Sequence, residues 1–254
     1  MANLDFTALW AFLLILTRLA GVFSTLPGIG SEALPRTPRF IAAMILAMTP
    51  VVAGIRVELP ENIVHAGFAV GVEFVLGFLL GSIPQYIISS VAVSGQVVAG
   101  VIGLGQANMI DPSLGESVSV IARTQSFFAT IVFLILNGHH IVIRVATGVL
   151  ADIQLGTFRP GAGVAEILLD RMAETFTLAL VVSAPILVTV LVAQFVLGLI
   201  TRFVPQVNIF IVSLPLSVLM GLYIIGFTFS GEAGHLISQF SKLEELLVRI
   251  VTMS

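Results

Sequence analysis

The run 178–192, Leu-Ala-Leu-Val-Val-Ser-Ala-Pro-Ile-Leu-Val-Thr-Val-Leu-Val, is apolar on nearly every side, and 41–48 is apolar on all of them. Neither run leaves a face for water. A membrane-barrel strand would alternate apolar and polar residues with period two, so these runs are helical. Charged residues make up only 10% of the chain and hydrophobic ones 57%, with mean hydropathy +1.11, whereas a soluble domain carries about 25% charged residues. Such a chain cannot cover itself with a hydrated surface. The expected class is an all-α polytopic membrane protein. At about 20 residues per span, 254 residues hold six to seven hydrophobic helices, several of them kinked.

The same composition excludes a good deal. There is no cysteine, so disulfides, thiolate metal sites and cysteine nucleophiles are ruled out. The net charge is −3 with a single lysine, Lys242; no basic run points to nucleic acid or anionic lipid as the main partner, and membrane lipid is the expected surrounding. The segment 6–26 lacks a positive leader and an A-x-A-like site, so it reads as a retained helix. No H-E-x-x-H, P-loop or G-x-S-x-G occurs. His139 and His140 are neighbours, about 100° apart on a helix, with no further ligand cluster at metal spacing. Ser94 and His235 could be assembled into an intramembrane dyad, but neither carries a surrounding pattern. No catalytic residue, metal or cofactor is expected, and the chain does not read as an enzyme.

Taken in order, a first span at 6–26 contains Arg18, a charge that must pair or line a cavity. The loop 27–39 is rich in helix breakers, and a short second span covers 40–55. A third span at 63–83 carries Gly67, Gly71, Gly77 and Gly81. At 100° per residue all four fall within a sector of about 120°, shared with Phe74 and Phe78. Small residues let membrane helices approach closely, so this face is expected to pack or assemble. Glu73 borders it: either a proton relay or a satisfied structural carboxylate. A fourth span is expected at 85–105. A fifth, at 118–150, is too long for one crossing and is broken at Asn137-Gly138. Residues 151–172 form the longest polar connection, dividing an N-terminal part, 1–172, from a hairpin, 173–235. The hairpin holds two spans, 173–200 with Pro185 and 207–229 with Pro215. Proline is tolerated there because neighbours re-satisfy the freed carbonyls. The tail 236–254 is amphipathic: Leu236, Phe240, Leu243, Leu247 and Ile250 recur at helical spacing, fitting a membrane surface or a partner.

Between the fourth and fifth spans, 93–116 fills with glycine and ends at Asp111-Pro112. Each interior glycine costs about 1 kcal/mol against alanine, and proline disfavours helix at the preceding residue. A helix enters, loosens and breaks. Irregular backbone at membrane depth survives only inside protein or along a wet cavity. Two readings fit, a gate in a pore or an ordinary loop outside the membrane.

These pieces together resemble a known family. The pattern runs from Arg18-Leu19-Ala20-Gly21 and Leu26-Pro27-Gly28 through Glu73, Gly77, Gly81 and Gly95-Gln96 to Asp111-Pro112 and Asn137-Gly138-His139. It ends in Leu197-Gly198, the motif Arg202-x-x-Pro205-Gln206-x-Asn208-x-Phe210, and Leu214-Pro215-Leu216. It looks like the FliR family of flagellar biosynthetic proteins, whose relatives serve virulence type III secretion. The resemblance implies a FliP-like N-terminal part and a FliQ-like C-terminal hairpin. It implies one copy of such a chain in a hetero-oligomeric export gate with FliP and FliQ, wrapped by FlhB, through which unfolded flagellar subunits cross the inner membrane of the basal body. In the family the loop before the Asp-Pro pair plugs the pore. Carried onto this chain, that loop is 103–116, with Gly103, Gly105, Gln106, Met109, Ile110, Asp111 and Pro112. Relatives can carry aromatic residues there, where this chain has Gln106, Ala107 and Met109. The reading from the residues alone retains a rival: a secondary transporter of a small solute with Glu73 as its proton site.

Overall fold

The computed structural model describes residues 5–30, 35–103, 119–149, 155–159, 161–203 and 209–252. Its described residues form helices and connecting turns: α1 (Phe6–Thr25), α2 (Arg36–Val52), α3 (Ile63–Val101), α4 (Val120–Ile135), α5 (Gly138–Ala146), α6 (Ala162–Phe203), α7 (Ile209–Ser241) and α8 (Leu243–Thr252). Of the expected gate loop only Gly103 is described. Gly105, Gln106, Met109, Ile110, Asp111 and Pro112 lie outside the described residues, as do Pro205, Gln206 and Asn208 of the hairpin motif.

Fewer, longer helices replace the seven separate spans. Among the described residues four helices are long and apolar enough to cross a membrane, or five if α4 and α5 count as one bent span. Spans three and four are a single 39-residue helix, α3, with Pro84 inside it. At 1.5 Å per residue it is about 58 Å long, against a hydrocarbon core of about 30 Å. Proline at 84 removes one backbone donor without ending the helix. The second half of the polar stretch expected to connect the two parts is helical, since α6 begins at Ala162 and runs 42 residues through Pro185. Its charged residues Glu166 and Asp170 are simply exposed on the helix. Likewise α7 continues past 229 to Ser241. The break at Asn137 is sharp: α4 and α5 bend by 64° around Asn137, which adopts the left-handed conformation (φ 56°). Asparagine is among the few non-glycine residues that tolerate it.

The chain forms two compact units. The first comprises residues 1–86, 133–171 and 239–254. Here α1 packs on α2 and on α5, and α8 packs on α5. Leu14, Ile15, Leu19 and Val22 of α1, Leu76, Leu80 and Ile83 of α3, Val142 and Val145 of α5, and Leu243, Leu247 and Ile250 of α8 are all buried. The apolar stripe of the tail is therefore covered by the chain's own fold, not left for a membrane surface. The second unit comprises 87–132 and 172–238. Val98 and Ala99 of α3, Ile102 just after it, Ile121 of α4, and Ile186 and Val190 of α6 form its core.

Candidate functional site

Among the described residues each unit carries one buried carboxylate, and the two are held in different ways. In the first unit Arg18 and Glu73 are 1% and 0% exposed. Arg18 Nε donates to Glu73 Oε2 at 2.5 Å. The other carboxylate oxygen, Oε1, accepts the backbone N–H of Gly156 at 2.6 Å. Gly156 has φ 80°, a conformation open mainly to glycine. Arg18 Nη1 also donates to the carbonyl of Ala146 at 3.2 Å. That carbonyl belongs to the last turn of α5, where the helix leaves its acceptors unpaired and negative potential gathers. Four elements are thus tied by one ion pair. Both charges leave water, a cost met only when geometry and added hydrogen bonds are good.

The approach of α1 to α3 that makes this pair reachable is set by glycine. A Cβ on Gly21 would lie 2.7 Å from the backbone nitrogen of Phe78. One on Gly77 would meet the backbone of Arg18, and one on Gly81 that of Val22. No residue larger than glycine fits without separating the helices. Of the four glycines expected to share one face, Gly77 and Gly81 lie in this contact. Gly67 and Gly71 do not: nothing lies within 4 Å of a Cβ built on either. They line an apolar cleft of about 380 Å³ with Phe68, Val72, Val75 and Phe158.

In the second unit Gln125 Nε2 donates to Glu232 Oε1 at 3.1 Å. Both residues are buried, yet among the described residues Gln125 Oε1 and Glu232 Oε2 have no hydrogen-bond partner. Gly95 allows the backbone contact beside them, since its Cβ would lie 2.7 Å from Ala122 Cα. Glu232 is the residue that sequence reasoning passed over. Ser230-Gly231-Glu232-Ala233-Gly234 reads locally as the end of a span, whereas it lies inside α7. Its signal was a lone carboxylate within two turns of an apolar run.

The remaining expected residues are placed as follows. Gly103 has φ 88° just after α3 ends, so the chain turns there in a conformation that favours glycine. Arg202 lies in the last turn of α6 and is exposed, Phe210 lies in the first turn of α7, and Pro215 sits inside α7. Among the described residues Ser94 Oγ and His235 Nε2 are both buried without a hydrogen-bond partner, so they are not bonded to each other as the dyad of a protease would be. The rings of His139 and His140 lie 4.2 Å apart between centres, tilted by 45°. Among the described residues no three metal-ligating side chains gather.

Comparison with known proteins identifies the family. The family described as "Bacterial export proteins, family 1" matches residues 9–243. Similar relatives include the flagellar biosynthetic protein FliR of Caulobacter vibrioides, 27% identical over 87% of this chain and 88% of that protein. The FliR of Aquifex aeolicus is 29% identical over 82% and 81%. The surface presentation of antigens protein SpaR of Shigella flexneri is 26% identical over 87% of both chains. A match over most of its length, joined to helices able to cross a membrane, means that the chain belongs to the bacterial export proteins, family 1, the FliR family of membrane components of type III export, with its place in the bacterial inner membrane within the flagellar basal body.

Proposed function

We propose that this chain is a one-copy, non-catalytic subunit of the flagellar export gate. It forms, with FliP- and FliQ-like partners and FlhB around them, the channel through which unfolded flagellar subunits cross the inner membrane. The observation that carries the reading is the length of apolar surface on α6. Met172, Phe176, Leu180, Val188, Leu191, Phe195, Leu199 and Phe203 are all exposed. The uncharged run 175–201 of α6 measures about 39 Å along its axis, longer than a hydrocarbon core of about 30 Å, and its exposed apolar residues fit burial against apolar protein neighbours as well as lipid. In this reading the N-terminal part is FliP-like, the α6–α7 hairpin is FliQ-like, and 103–116 is the plug.

The rival transporter reading needs Glu73 free to exchange a proton, and both of its oxygens are engaged. Deleting 103–109 tests the proposal. In cells carrying the variant, the membrane is expected to leak small ions, read with a potential-sensitive dye. Unchanged leak together with normal motility would remove the plug from the reading.

A further inference from the structure

Among the described residues Glu232 is the one buried carboxylate without a cation beside it. All eleven lysines and arginines of the chain lie at described positions, and none forms an ion pair with Glu232. Few other titratable groups belong to the second unit's described helices. They are Arg123 on α4, Glu174 and Arg202 on α6, and Tyr223 and His235 on α7. Arg123, Arg202 and Tyr223 are exposed, and Glu174 is half-buried on α6. Residues 87–101 of α3 hold none. His235 lies one turn along α7 on the side of Glu232.

The surroundings are closed and apolar. Glu232 is 4% exposed and lies in a helix apolar enough to cross a membrane. One turn away on each helix, Phe128 of α4 and Phe229 of α7 bring their ring centres to 4.2 Å. On the far flank of Gln125, Gly95 lets α3 approach α4. A carboxylate in such a place is expensive unless it is paired, wet or neutral.

The hydrogen bonding points the same way. Gln125 Nε2 donates to Glu232 Oε1 at 3.1 Å. The other two oxygens, Gln125 Oε1 and Glu232 Oε2, lack a partner among the described residues. In the ionised form both are acceptors, and two acceptors cannot satisfy each other. A proton on Oε2 makes it a donor, and acid and amide then each offer the other a donor and an acceptor.

We propose that Glu232 is a proton-binding site, in which Oε2 takes a proton from water and the new O–H donates to Gln125 Oε1, joining α4 to α7 by a paired acid and amide. The site gains no other atom, and no electron changes hands. Loss of the proton sets two acceptors against each other, so the tie between α4 and α7 is weakest when the site is ionised. The inference rests on the second unit alone and is independent of the proposed channel.

The test uses the full chain in its membrane-extracted complex, read by infrared spectroscopy at neutral pH. A protonated acid shows a carbonyl stretch above the carboxylate and amide bands, and the stretch moves down in heavy water. Subtracting the spectrum of Glu232→Gln from that of the wild type is expected to leave one such band and no carboxylate bands. The amide of Glu232→Gln donates where the acid O–H does, so this variant is expected to assemble at the wild-type level. Gln125→Met, unbranched like glutamine, removes both hydrogen bonds and is expected to keep the band at higher frequency. Should Gln125→Met not assemble, the Glu232→Gln spectrum decides alone. Carboxylate bands in place of the acid band, a band unmoved or abolished by Gln125→Met, or failure of Glu232→Gln to assemble would each overturn the proposal.

Discussion

Glu73 and Glu232 are both buried in apolar helices, but the first unit completes its carboxylate and the second does not. Glu73 has a cation on one oxygen and a backbone donor on the other. Glu232 has a neutral amide on one oxygen and nothing on the other. Helices of the first unit close on each other through Gly21, Gly77 and Gly81. Apolar flanks stay exposed in both units, among them Ile45, Met48 and Phe68 in the first and Leu219, Leu222, Tyr223 and Phe227 in the second. Among the described residues Arg18 Nη2 lacks a hydrogen-bond partner, as Glu232 Oε2 does. The difference therefore lies in how each carboxylate is held, while the apolar area of both units is left for neighbours to cover.

Substituting the two carboxylates separates these behaviours most strongly. Glu73→Ala leaves Arg18 buried without its counter-charge, and removing one partner of such a pair costs about 3–5 kcal/mol. The variant is expected to fall to a small fraction of wild-type level in membranes. An apolar pair, Arg18→Met with Glu73→Leu, is expected to restore most of it, because replacing both charges removes the desolvation cost along with the attraction. Glu232→Gln keeps a hydrogen-bonding group of the same shape and is expected to cost no more than about 1 kcal/mol. Quantitative blots of membrane fractions check all three. Equal loss for Glu73→Ala and Glu232→Gln would erase the contrast.

Glycine gives the next largest effect. Gly77→Ala forces a methyl against the backbone of Arg18, and such overpacking costs about 1–3 kcal/mol. Gly67→Ala meets open space and gains helix propensity worth up to about 1 kcal/mol. Detergent thermal unfolding is expected to shift down for the first and not for the second. If Gly67→Ala lowers recovery of the assembled complex while leaving the chain itself stable, its open face is used by a partner.

The smallest effect lies at the N-terminus of α1. Asp5 accepts from Thr7 and Arg56, and these hydrogen bonds hold its carboxyl below its ordinary 3.8, Thr7 contributing most. A lowered carboxyl pKa means stability present above the ordinary value and lost as pH falls through the lower one. Acidification below about pH 4 is therefore expected to loosen this end of the hairpin slightly, as read by proteolysis near residue 56, and Asp5→Asn to remove that pH dependence. The group is exposed, so solvent screening keeps the effect small.

Much of this was legible in the sequence because it rests on single residues with one physical meaning. Asn137-Gly138 breaks a span because the backbone there turns left-handed. Arg18 and Glu73 each announce a buried charge in need of a partner. Their pairing was not legible, since it joins residues 55 apart through a glycine contact that no local pattern encodes. Nor were helix lengths. Cutting the chain at about 20 residues makes Pro84 a boundary, yet a proline costs a helix one donor and a local clash, which packed neighbours absorb. Glu232 was missed for the opposite reason: flanking Gly231 and Gly234 suggest a loop, and only the continuous α7 shows it inside a helix.

The central claim is that this chain is completed by other subunits, and its stoichiometry in the membrane tests that most directly. Native mass spectrometry of the tagged chain, extracted from its own host in mild detergent, is expected to release one copy bound to several copies of small apolar partners. A stable monomer, able on its own to move a small solute across vesicles, would contradict the account.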